Sequence, residues 1–105
     1  MNNERLKQLL QFLQEDPNDP FNIYCLANEY KNFDASIAMK YYQELLLDHA
    51  KYLPTYYHTA ELHINQNEIA KAEKVIAEGI ILAIEQNDQL ALRELRNLQN
   101  NLLEY

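Results

Sequence analysis

The sequence predicts an all-α fold of six helices arranged as antiparallel hairpins. Two observations carry this. Apolar residues recur at the helical period almost everywhere, and strict alternation is never sustained. The 105 residues hold one Gly and three Pro, too little turn material for a many-stranded β fold. Leu6, Leu9, Leu10 and Leu13 form one stripe of a first helix over roughly 3–15. Asp16-Pro17-Asn18-Asp19-Pro20 stops it, with Asp19 placed to cap a second helix and Pro20 in its first turn. That helix carries Ile23, Leu26, Ala27 and Tyr30. Asn32-Phe33-Asp34 breaks it, and Asp34 caps a third helix with Ile37, Ala38, Tyr41, Tyr42 and Leu45. Leu53-Pro54-Thr55 opens a fourth, bearing Tyr56, Ala60, His63 and Ile64. A fifth follows Asn65-Gln66-Asn67 with Ile69, Ala72, Ile76, Gly79, Ile80 and Ala83. Asn87-Asp88 caps a sixth with Leu92, Leu95, Leu98 and Leu102. Such short connections make sequential helices pack antiparallel.

Composition bounds the function. Hydrophobic residues are 48% and charged residues 24%, the balance of a folded soluble domain. Net charge is −7 and no segment is strongly basic, so neither nucleic acid nor an anionic membrane surface is expected as a partner. A single Cys makes no internal disulfide. The first residues lack the apolar core of a signal peptide, and Ile80–Ile84 is far too short for a membrane span, so a cytoplasmic location is expected. The twelve Asn and eight Gln are scattered rather than in tracts.

The helices repeat. Ala27 and Ala38 recur as Ala60 and Ala72, at offsets of 33 and 34. Leu26 and Tyr30 step by 33 to Thr59 and His63, while Tyr42 and Leu45 step by 34 to Ile76 and Gly79. One extra residue in the second inter-helix turn accounts for the change of offset. Gly79 within a helix costs about 1 kcal/mol against Ala, which points to a close backbone approach.

This pattern resembles the tetratricopeptide repeat over roughly residues 16–84. Asp16-Pro17 runs into Leu26-Ala27, Tyr30, Ala38 and Tyr42, and Tyr56, Ala60, Ala72 and Gly79 fill slots of a second hairpin. Thr59, His63, Ile76 and Leu45 depart from the usual residues, and Ala50 and Ile84 replace the closing Pro. The resemblance implies a right-handed stack in one domain. Its parts are a leading helix (1–16), a first repeat (17–51), a second repeat (52–86) and a capping helix (87–105). Arg93, Glu94, Arg96 and Asn100 of the cap are expected to face water.

The resemblance further implies a non-catalytic protein-interaction module, a small adaptor with no cofactor. A peptide or partner helix would bind along the first helix of each hairpin, against Tyr24, Asn28 and Lys31 and against Tyr57, Glu61 and Asn65. Some members clamp a terminal carboxylate with Lys, Asn and Arg. Here only Asn28 suits that chemistry, and Glu61 favours a neutral or basic segment instead. Two alternatives stand beside this reading: a self-associating subunit forming a homo-oligomer, and a metal-binding or enzymatic helical domain using His58, Glu61 and His63.

The metal reading is poor on spacing. His58 and His63 are five residues apart, about 140° around a helix, and only His58–Glu61 is well placed. His63 is expected to be a hydrogen-bonded packing residue, and His49 to meet a helix C-terminus. Cys25 has no neighbouring His to activate it, Ser36 is the only Ser, and no Gly-rich loop exists to hold phosphate. No metal site and no enzyme activity are expected.

Overall fold

A computed structural model describes residues 3–103. Residues 1 and 2 of the expected leading segment, and 104 and 105 of the expected cap, lie outside the described residues. Among the described residues there are six helices and no strand: α1 (Asn3–Glu15), α2 (Pro20–Lys31), α3 (Ala35–Asp48), α4 (Pro54–Asn65), α5 (Ile69–Glu85) and α6 (Gln89–Leu102). The chain divides into two compact units, Met1–Tyr52 and Leu53–Tyr105. In the first, α2 packs on α1 and α3; in the second, α5 packs on α4 and α6, and α4 also touches α6.

Acidic caps start three helices. The Asp19 carboxylate accepts from the Phe21 N–H at 3.0 Å, Asp34 from Ile37 at 3.2 Å, and Asp88 from Ala91 at 3.0 Å. Pro20 and Pro54 occupy first turns, where a missing N–H costs nothing.

The turns place the extra residue of the second hairpin. In the first hairpin the Tyr30 carbonyl accepts the N–H of Asp34, four residues on, at 2.7 Å. In the second, the equivalent His63 carbonyl accepts from Glu68, five residues on, at 2.8 Å. Asn67 is the added residue, in the left-handed region at φ 62°. Its own N–H bonds the Ile64 carbonyl at 2.9 Å, completing a Schellman closure. Asn87 repeats this after α5, at φ 55°, with Asp88 bonding back to Ala83 at 3.0 Å. Asn takes such backbone more readily than other residues that carry a Cβ.

The four repeating alanines, Ala27, Ala38, Ala60 and Ala72, are all fully buried. They let paired helices approach closely, and larger side chains fill the space beside them. In the first unit these are Ile23, Leu26, Tyr42 and Leu45; in the second they include Tyr56, Ile76, Leu92 and Leu95. Gly79 is a contact point of three helices. A Cβ there would lie 2.8 Å from the Tyr56 Cβ on α4 and 3.1 Å from the Leu95 Cδ1 on α6. Two tyrosines, Tyr42 and Tyr56, are buried, and the other five described are half-buried.

On α6 the Leu stripe turns inward, with Leu92, Leu95 and Leu102 buried, while Arg93, Glu94, Arg96 and Asn100 are exposed. α1 differs: Leu6, Leu9 and Leu13 are half-buried and no residue of the helix is buried. Polar contacts hold it instead. The Asn22 amide donates to the Phe12 and Asp16 carbonyls, each at 3.1 Å, and Arg5 pairs with Glu29 at 3.0 Å.

Candidate functional site

In the first unit, α2 brings Tyr24, Asn28 and Lys31 to one side through spacings of four and three. All three are half-buried. The Tyr24 ring stands edge-on to Tyr52, with centroids 5.6 Å apart. Asn28 has an inward duty that the sequence did not disclose. Its Oδ1 accepts the hydroxyl of fully buried Tyr42, which would otherwise be left without this partner in the core. The Asn28 amide is therefore fixed in orientation, with Oδ1 committed inward and its NH2 as the remaining polar group. Further along the same hairpin, Tyr30 stacks on Tyr41 with centroids 6.1 Å apart.

In the second unit, α4 places Tyr57 and Glu61 one turn apart, both half-buried, and the Tyr57 hydroxyl donates to the Glu61 carboxylate. Burial, and then the Glu61 and Glu94 carboxylates, push the Tyr57 phenol above its ordinary value, so it stays protonated and a donor. His58 Nδ1 lies 3.9 Å from Glu61 Oε1, and the His58 ring is edge-on to Tyr57. Asn65, the last residue of α4, is exposed. Glu94 of α6 is the contributor missed by sequence reasoning. It is exposed, as expected, but the packing of α6 beside α4 sets its charge near Tyr57. Spacing within one helix holds no signal for a neighbour on another.

His63, Glu68 and Lys71 form one hydrogen-bonded cluster. His63 is 5% exposed, and its Nδ1 donates to Glu68 Oε1 at 3.1 Å; Lys71 donates to the other carboxylate oxygen at 3.2 Å. Those two hydrogen bonds hold the Glu68 carboxyl below the ordinary glutamate value. Thus His63 turns to Glu68 while His58 lies by Glu61, and among the described residues no group of three His, Cys, Asp or Glu is placed to hold a metal ion. Burial, then Asp19, raise the Cys25 thiol, which leaves it protonated at neutral pH. Two shallow surface depressions lie on single helices, one on α1 by Lys7, Leu10 and Gln14, the other on α6 by Arg93, Arg96 and Asn97. No helix of the described residues is long and apolar enough to cross a membrane.

No protein-family model matches the chain, and no curated protein does. Solved structures do. A tetratricopeptide repeat domain protein from Salinibacter ruber, determined by NMR in solution, is 35% identical, with a TM-score of 0.78 over 83% of this chain and 89% of its own. A crystal structure of a tetratricopeptide repeat domain protein from the same organism is 33% identical, with a TM-score of 0.78 over 82% of this chain and 97% of its own. The chain belongs to the tetratricopeptide repeat family. The fold of this family is in general a protein-interaction fold. The buried alanines at the repeat slots and the close packing at Gly79 are thus how this tetratricopeptide repeat chain seats its helices.

Proposed function

We propose that the protein is a non-catalytic adaptor that docks a neutral or basic peptide segment, or one face of a partner helix. The docking faces are Tyr24, Asn28 and Lys31 on α2, and Tyr57, Glu61 and Asn65 on α4. The observation that supports this most is the Tyr57–Glu61 pair, an aromatic ring beside a carboxylate on the half-buried side of α4, with Glu94 adding negative charge. Such a face gives apolar contact and a charge-assisted hydrogen bond to a Lys or Arg, and it repels an acidic segment.

A displayed library of random peptides, panned on the folded protein, tests the reading. Recovered sequences should carry more Lys and Arg than Asp and Glu. Glu61→Gln, which keeps the side chain's shape and removes its charge, should weaken the best binder about tenfold. Recovery of acid-rich peptides, or affinities indifferent to Glu61→Gln, would refute it.

A further inference from the structure

The chain has three phenylalanines, and all are exposed: Phe12 by 49%, Phe21 by 55% and Phe33 by 62%. The core is filled by Leu, Ile, Ala and Tyr instead. A Phe ring is among the most favourable side chains to bury, so leaving about half of every one in water forfeits stabilisation the fold had available. Phe33 stands in the turn between α2 and α3. Phe12 and Phe21 are brought near each other by α1 and α2. The Asn22 amide, next in sequence to Phe21, donates directly to the Phe12 carbonyl at 3.1 Å and to the Asp16 carbonyl at 3.1 Å. Arg5–Glu29 pins the same two helices farther along. The two rings therefore sit on backbone held in a fixed relation, and little ordering remains to be done on binding.

The chain segment that carries them is acidic. From residue 8 to residue 30 the chain has no Lys or Arg, and it has Glu15, Asp16, Asp19 and Glu29. Glu15 is one turn beyond Phe12 and Asp16 follows it; Asp19 precedes Phe21 by two residues while capping α2. Glu29 is matched by Arg5 and Lys7 lines one depression with Glu15, which leaves Glu15, Asp16 and Asp19 as the three acids nearest Phe12 and Phe21 along the chain, in excess of the one Lys. We infer that Phe12 and Phe21 form a second docking surface, whose occupant is a basic amphipathic helix of a partner protein. Its leucine-type face covers the two rings and its Lys or Arg side chains meet Glu15, Asp16 and Asp19. An acidic helix or an anionic membrane surface meets the wrong charge here. This surface belongs to the first unit and draws on no residue of the Tyr57–Glu61 face.

The test is fluorescence anisotropy with a labelled leucine–lysine amphipathic peptide. Two controls go beside it: the same peptide with Glu for every Lys, and a lysine–glycine peptide with no apolar face. The leucine–lysine peptide should bind and both controls should bind at least tenfold more weakly. Phe12→Ser/Phe21→Ser should cost at least tenfold with the helical circular dichroism unchanged. If that variant does not fold, Glu15→Gln/Asp16→Asn decides, and it should weaken binding and flatten its dependence on salt. Binding that survives Phe12→Ser/Phe21→Ser and is then lost on Glu61→Gln belongs to the α4 face; it would overturn this inference and leave that reading standing. Binding unaffected by the Phe or the acid substitutions would overturn the inference, as would equal binding of the leucine–glutamate peptide. A concentration-dependent mass abolished by Phe12→Ser/Phe21→Ser, without peptide binding, would overturn it in favour of a second copy of this chain.

Discussion

Gly79→Ala sets two effects of opposite sign against each other inside α5. Removing a helix-interior glycine should stabilise by about 1 kcal/mol, because Ala loses less backbone freedom on folding. The new methyl would lie 2.8 Å from the Tyr56 Cβ, 3.2 Å from its Cγ and 3.1 Å from the Leu95 Cδ1. Leu95 presents the end of a flexible side chain and can give way. The Tyr56 Cβ is attached to the α4 backbone, so relief there requires α4 and α5 to separate. Overpacking of this kind costs about 1–3 kcal/mol, and the buried Tyr56 and Leu95 lose contacts as the helices part. Packing should prevail, with a net loss of about 1 kcal/mol and a Tm lower by about 4–8 °C. Thermal unfolding followed by circular dichroism reads this directly. Ala77→Gly, at an exposed position of the same helix, is the companion measurement. It should also destabilise by about 1 kcal/mol, through propensity alone. Both directions of the Gly–Ala exchange would then lower stability, two residues apart. A Gly79→Ala protein that melts at or above the wild-type temperature would refute the account of three-helix contact.

Other outcomes follow from the same structure. Asn67→Ala should lower stability by about 1 kcal/mol because φ is positive there, while Asn67→Gly should be nearly neutral in the same urea titration. Asn28→Ala should cost about 1 kcal/mol by removing the acceptor of the buried Tyr42 hydroxyl's hydrogen bond, and Tyr42→Phe should add less in that background than in the wild type; simple additivity in the double-mutant cycle would deny the coupling. Glu68 has a folded-state pKa below its unfolded one. Its stabilisation is therefore present above the ordinary glutamate pKa of about 4.3 and disappears as pH falls through the lower folded value. Glu68→Gln should accordingly cost stability near neutrality and flatten the acid-side decline of the urea midpoint; parallel pH profiles would contradict this.

Residue spacing revealed much of the fold because the relevant forces are local or periodic. The caps Asp19, Asp34 and Asp88 act within three residues, so they are visible in sequence and are found where expected. The change of offset from 33 to 34 placed one additional residue in the second inter-helix turn, and in the structure that residue is Asn67 in the left-handed region. The proposed docking faces were less legible. Tyr24, Asn28 and Lys31 share a side of α2 by arithmetic, yet nothing in the spacing disclosed that Asn28 serves Tyr42. Asn28→Ala would consequently mix stability with binding, whereas Glu61→Gln does not disturb the core.

The sequence by itself determined the helices, their caps and the repeat, because each depends on interactions a few residues apart or on a period that recurs. Tertiary structure alone decided what meets across helices. It set Glu94 beside Tyr57, turned His63 to Glu68, and joined Phe12 to the start of α2 through Asn22. Such contacts depend on how close two helix axes come and which faces they share. That is fixed by the summed fit of many buried side chains, Gly79 against Tyr56 and Leu95 among them, and by no one residue's position in the chain.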